Sequence, residues 1–264
     1  MKLYLCPNLF TPQQREQAMD AIRVLEDKGH RCALSPSDAF SLFSDASHAD
    51  FEAKDADLIV TIGGDGAVLR GAQKALQTDV PLFGINSGRL GYLCALNFGE
   101  IDRFDEVYRK CLRTGRSLLE FTVDGQVRYA LNDVVFAKKD FGTSVDLTVS
   151  TDEDDIFKIR GDGLIISTPT GSTAYNLSAR GPILDTNAPV YALTPINAHA
   201  SLAHSVVLSE KKKITVSERN GDAVIYADGV EAGTPKVPIE VRISRKTVTL
   251  MSRNRPLNDI ARLE

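Results

Sequence analysis

Leu58-Ile59-Val60-Thr61-Ile62 runs without a charge into Gly63-Gly64-Asp65-Gly66, and the pattern after it turns helical. A strand so uniformly apolar has no face to offer water. It belongs in a parallel sheet with helices on both sides. The same alternation fills the first hundred residues. Residues 2–6 and 31–34 read as short strands, and 81–85 as a further strand. Residues 11–28 read as a helix with Ala18, Ile22 and Leu25 on one face and Gly29 as its stop, and 67–76 as a second helix. Such alternation predicts an α/β layer whose ligands bind beyond the carboxyl ends of the strands. Gly63-Gly64-Asp65-Gly66 and Asn86-Ser87-Gly88 fall at two such ends.

The pattern changes after residue 101. A charged, helical connector over 101–113 gives way to strands joined by turns. Asp124-Gly125 separates 118–123 from 126–131, an acidic tip at Asp152-Glu153-Asp154-Asp155 separates 146–150 from 156–160, and Asn220-Gly221 separates 213–218 from 223–227. Residues 237–243 and 247–251 complete the set. Repeated hairpins predict an all-β antiparallel sandwich. The fold class expected is therefore an α/β N-terminal domain with a parallel sheet over 1–100, followed by the sandwich over 101–252, with 253–264 as a tail.

Composition narrows the partners. With 43% hydrophobic residues and no low-complexity tract, the chain can bury a full core; a net charge of −4 argues against nucleic acid. The one basic run, Lys211-Lys212-Lys213, reads as a solvated strand end. No apolar run approaches bilayer length, and Pro7 and Asn8 break the first ten residues too early for a signal peptide. Cys6, Cys32, Cys94 and Cys111 form no Cys-x-x-Cys pair, so we expect reduced thiols in a cytoplasmic protein. His30, His48, His199 and His204 have no metal-ligand spacing, and neither a Walker A loop nor a Gly-x-Ser-x-Gly elbow occurs.

Three constellations remain. Gly63-Gly64-Asp65-Gly66 lets backbone N–H groups approach a phosphate and adds a carboxylate suited to a hydroxyl; it also suits an ordinary strand-to-helix turn with Asp65 as the cap. Asn132-Asp133 offers an amide beside a carboxylate, fit for a ribose or an adenine edge, or simply for a turn. The stretch from Gly161 to Asn176 passes from an apolar strand through Pro169-Thr170-Gly171-Ser172 into an expected helix. Its polar groups, Asp162, Thr173, Tyr175 and Ser178 among them, exceed what a structural turn needs, so this element reads as a ligand-binding one.

Taken jointly, the glycine loop and the later motif resemble the NAD kinase family. Leu82-Phe83-Gly84-Ile85-Asn86-Ser87-Gly88-Arg89-Leu90-Gly91-Tyr92-Leu93 is similar to the family's segment after the loop, and Arg160 through Ser178 to its long second motif. The resemblance implies phosphorylation of NAD by ATP at the 2′-hydroxyl of the adenosine ribose, with Asp65 as proton acceptor. It implies nucleotide contacts at Gly63, Gly64, Gly66, Asn132, Asp133, Arg160, Asp162, Thr173, Ala174, Tyr175, Asn176 and Ser178. Mg²⁺ or another divalent cation would arrive with ATP, held mainly by phosphate oxygens and by no dedicated protein ligands. A homodimer or homotetramer is implied, with Asp162 reaching a neighbouring subunit, and so is a tail that returns to the first domain.

The chain departs from the family at Asp133, where a longer Glu is usual, at Val230 after Asp228-Gly229, where Gln is usual, and over 198–205. Two other readings stand beside the kinase. A non-catalytic NAD(H) sensor has no use for Asp65, and a related lipid or sugar kinase would lack Thr173-Ala174-Tyr175-Asn176.

Overall fold

A computed structural model of the chain describes residues 1–44, 48–88, 91–199 and 204–253. They divide into two units, one made of residues 1–115 with those from 248 onward, the other Arg116–Thr247. The helical connector thus lies in the first unit, where Phe104 and Val107 are buried in its core.

The first unit is built on parallel pairing. Strand β1 (Lys2–Pro7) is followed by helix α1 (Pro12–Asp27), β2 (Arg31–Ala33) and α2 (Pro36–Phe43). Next come β3 (Leu58–Gly63), α3 (Asp65–Thr78), β4 (Leu82–Asn86), the short β5 (Leu96–Asn97) and α4 (Phe104–Lys110). The strands lie in the order β2-β1-β3-β4, each pair parallel, and residues 250–251 add a parallel strand beside Leu82–Phe83. Alternate residues point to opposite faces. Leu58, Val60, Ile62, Phe83 and Ile85 join Ala21, Ile22 and Leu25 of α1 and Phe104 of α4 in one core. On the other face, Val68 and Gly71 of α3 lie against Gly84, Thr61 and Leu82. Thr11 starts α1 with a capping box, its hydroxyl accepting from the Gln14 N–H while the Gln14 side chain accepts from the Thr11 N–H.

The second unit is a sandwich. In chain order it holds β6 (Leu112–Val123) from Arg116 onward, β7 (Gln126–Ala130), β8 (Asp133–Lys138), β9 (Val145–Thr151), β10 (Asp155–Gly161) and β11 (Gly163–Ser167). Then follow α5 (Tyr175–Ser178), β12 (Val190–Ile196), β13 (Val206–Ser209), β14 (Ile214–Glu218), β15 (Ala223–Ala227), β16 (Val230–Gly233) and β17 (Ile239–Ser252), which passes into the first unit after Thr247. One sheet runs β10-β9-β14-β17, with β6 on β17 and β7 on β6; the other runs β13-β12-β11-β8-β15-β16. Leu147, Val149, Ile214 and Val216 of the first meet Val134, Phe136, Leu164, Ile166 and Ile225 of the second in one core.

Two local expectations need correction. Asn220-Gly221 does not close a hairpin: β14 pairs with β9 and β17, whereas β15 pairs with β8 and β16, so the chain changes sheets there. Residues 239–252 form one unbroken strand, not two; Ser244, at its middle, is buried and donates to Glu120 at 2.9 Å. The expected tail lies outside the described residues apart from Arg253, which donates to Glu100 of the same unit at 3.3 Å. Arg89, Leu90 and residues 200–203 also lie outside them. No helix among the described residues is long and apolar enough to cross a membrane.

Candidate active site

In the first unit the glycine loop sits where β3 ends and α3 begins. Gly64 is the N-cap and Asp65 the first helical residue. Asp65 does not cap its own helix. Its carboxylate accepts from the backbone N–H of Tyr92 at 2.9 Å and of Leu93 at 3.0 Å. A Cβ on Gly91 would fall on that carboxylate, so a larger residue there would displace the Asp65 side chain. The local reading of Asp65 as a simple cap is thus replaced by one in which two amides fix a carboxylate beyond the carboxyl end of a parallel strand.

In the second unit Asn132 and Asp133 lie at the start of β8. Their backbone is held from two directions. Asp228 accepts from the N–H groups of Leu131 at 2.8 Å, Asn132 at 2.7 Å and Asp133 at 3.3 Å. On the carbonyl side, the Thr168 hydroxyl donates to Leu131 at 2.6 Å and the Thr168 N–H to Asn132 at 2.9 Å. Gly171 presses against the Asn132 carbonyl with no room for a Cβ. Asn132 Oδ1 is buried and has no hydrogen-bond partner among the described residues. Burial, and after it the neighbouring Asp228, pushes the Asp133 carboxyl up to about 7. Burial raises Asp228 as well, opposed by its three N–H donors.

These residues line a cleft of about 430 Å³ with Val135, Ala137, Ala174, Tyr175, Tyr226 and Gly229. The lining follows from strand periodicity: Asp133, Val135 and Ala137 face the cleft, while Val134 and Phe136 between them face the core. A second hollow of about 280 Å³ is lined by Tyr175, Ser178, Ala179, Arg180, Pro195, Ile196 and Asn197, so Tyr175 serves both.

The stretch from Gly161 to Ser178 divides its labour differently from expectation. Its hydroxyls are mostly turned inward. Ser167 and Thr168 donate to backbone carbonyls, Ser172 donates to Pro169 at 2.7 Å, and the Leu184 N–H donates back to Ser172. Asn176, expected at the ligand, is fully buried. Its amide donates to the carbonyls of Ser172 and Pro182, and its oxygen accepts from the Thr194 hydroxyl at 2.7 Å. It therefore shapes the turn from behind. The expected helix is a single turn of four residues, too short to direct a helix dipole at an anion.

Asp162 accepts from Asn197 at 2.8 Å and pairs with Lys138 at 2.7 Å; these two partners hold its carboxyl below the usual range. Arg160 is exposed, its Nε donating to Ser144 at 3.2 Å, and neither it nor Thr173 lines a described hollow. Thus Asn132, Asp133, Ala174 and Tyr175 share one cleft, Ser178 adjoins it through Tyr175, and Asp162 adjoins through Asn197. Asp228, met in the sequence only beside the departure at Val230, has no assigned role there. A trace of it was visible in Asp228-Gly229, a hairpin-turn dipeptide with φ of +50° and +79°. Among the described residues, no group of three or more His, Cys, Asp or Glu could hold a metal ion.

Comparison with known proteins covers both units. The ATP-NAD kinase N-terminal domain matches residues 10–116, and the ATP-NAD kinase C-terminal domain matches 131–251. The NAD kinase of Sulfurimonas denitrificans is 35% identical over 216 residues, 78% of this chain and 76% of the relative. Two solved structures share the fold: yeast NADH kinase complexed with NADH, with a TM-score of 0.82 at 24% identity over 100% of this chain and 87% of that one, and an NAD kinase from Archaeoglobus fulgidus in complex with ATP, with a TM-score of 0.77 at 21% identity over 100% of both. Both domain matches and this relative together establish that the chain belongs to the NAD kinase family.

Proposed function

We propose that the chain uses Asp65 to phosphorylate the 2′-hydroxyl of the adenosine ribose of NAD with the γ-phosphoryl group of ATP. The 2′-oxygen bonds to the γ-phosphorus, the bond to the β,γ-bridging oxygen breaks, ADP leaves, and the hydroxyl proton passes to Asp65. Such transfers run through a loose transition state, so positioning and charge neutralisation carry the rate. An Asp65 carboxylate already bonded to two amides is held still, which supports a role in orienting the hydroxyl and taking its proton late.

In this reading Asn132 and Asp133 contact adenosine and its ribose, and Gly63, Gly64 and Gly66 let the backbone approach the nucleotide. Arg160, Asp162, Thr173, Ala174, Tyr175 and Ser178 complete the dinucleotide site, with Asn176 acting only through the turn it anchors. The unpartnered Asn132 Oδ1 supports this, since it needs a donor that a bound nucleotide can supply. ATP brings Mg²⁺ or another divalent cation, which reduces charge repulsion among the phosphates; phosphate oxygens suffice to hold it. A homodimer or homotetramer in the cytoplasm belongs to the same reading. Four unbridged cysteines, two of them (Cys6 and Cys32) with thiols that burial pushes up to about 12, support a chain kept reduced.

The observation that carries the proposal is the presence of both halves of the family's pattern in one chain, the Asp65 loop and the Asn132–Asp133 cleft. Nothing in the relatives favours a sensor or a lipid or sugar kinase. The test is NADP formation from NAD, ATP and Mg²⁺, followed with an NADP-specific dehydrogenase. Asp65→Asn is expected to lower kcat by about 10²–10⁴ while NAD still binds. An inactive parent would overturn the proposal.

A further inference from the structure

Between β7 and β8 the chain passes through Leu131 and Asn132, whose N–H groups point across to β15 instead of into a strand ladder. All three amides from Leu131 to Asp133 end on one carboxylate, that of Asp228. The hold is reciprocal, because the Asp228 N–H donates to the Asp133 carbonyl at 3.0 Å. Asp228 lies one step beyond the β15–β8 pair Ala227↔Val134, at the first position of the two-residue turn into β16. An aspartate tolerates the left-handed backbone there better than most side chains.

The chemistry is specific to a carboxylate. A carboxylate has two oxygens and donates nothing when ionised, so it can satisfy three converging N–H groups; an amide at this place would turn an NH₂ toward at least one of them. The arrangement also sets a second carboxylate near Asp133 in a buried setting, which is electrostatically unfavourable. A turn that served stability alone would gain by avoiding that repulsion. Meanwhile Thr168 and Gly171 fix the carbonyl side of the same segment, so neither backbone face of Asn132 can shift. What remains free is the pair of side chains that line the cleft.

We infer that Asp228 is a positioning residue for the dinucleotide, one that holds Leu131–Asp133 so that the Asn132 and Asp133 side chains meet adenosine and its ribose. The inference rests on the kinase reading above and adds to it a residue that makes its contribution through the backbone of two others.

The experiment compares Asp228→Asn with the parent enzyme. Removing one acceptor oxygen should raise KM for NAD about tenfold, the effect of one or two lost hydrogen bonds, while KM for ATP stays within about twofold. Hydrogen exchange of the peptide spanning residues 128–134, measured without substrate, should quicken. Asp228→Glu keeps the charge but displaces both oxygens, so it should raise KM for NAD too. Four results overturn the inference: an unchanged KM for NAD in Asp228→Asn, equal losses for NAD and ATP, unchanged exchange over 128–134, or full recovery in Asp228→Glu, which would make charge alone sufficient. A parent that forms no NADP fails the kinase reading instead, and the exchange measurement still decides whether Asp228 holds the segment.

Discussion

Asp133 sets charge against burial more sharply than any other cleft residue: it is 6% exposed, and burial first, Asp228 second, push its carboxyl from 3.8 up to about 7. The sign of the consequence follows from linkage. As pH rises from about 4 to 7 the unfolded chain releases the proton that the folded chain keeps, so stability falls across that window and the whole penalty is present above it. Asp133→Asn is therefore expected to raise the melting temperature by several degrees at pH 8 and by less than half as much at pH 5. Equal melting of the two proteins at both pH values would show that Asp133 is better solvated than its burial implies. The place of Asp65 beyond a strand end could be read from the sequence because its loop follows an uninterrupted apolar strand. The role of Asp228 could not, although Asp228-Gly229 was visible as a segment of the family's pattern, because its partners are backbone amides 95, 96 and 97 residues away and backbone amides leave no mark in a sequence.

Among elements, the turn from Ser167 to Leu184 shows how polar density can mislead. Hydroxyls crowd it because the turn has few strand partners and must satisfy its own carbonyls. Asn176 carries most of that duty, donating to Ser172 and Pro182 and accepting from Thr194. Asn176→Ala should cost about 3 kcal/mol, seen as a lower urea midpoint at an unchanged slope; a loss under about 0.5 kcal/mol would mean that water replaces the amide freely. Hairpins were legible where the turn joins paired strands. Asp124-Gly125 connects Val123 to its partner Gln126 with φ of +47° and +74°. Asn220-Gly221 has the same chemistry, yet β14 belongs to one sheet and β15 to the other. Local φ preference specifies a bend; which strand receives the chain afterwards depends on which sheet's inner face its apolar side chains complete.

At the level of the whole molecule, both fold classes were legible because each follows from a period, 3.6 alternating with buried strands in one part and 2 in the other. The chain's division between units was not, since residues 248–252 continue β17 without a break in pattern while entering the first unit. There Leu250 and Met251 pair with Leu82 and Phe83, and Met251 joins the core around Phe83 and Phe104. A fragment of residues 1–115 is therefore expected to exchange its β4 amides far faster than the full chain does; equal protection would show that the first unit is complete without its last strand. The same pairing has a consequence for synthesis. The ribosome delivers β4 early and β17 only after the rest of the sandwich, so the nascent N-terminal unit must wait with the Leu82–Phe83 edge of β4 bare, β5 covering only Ile85 and Asn86. Translation rate and chaperone supply then bear on the yield of this protein more than the modest size of either unit would suggest.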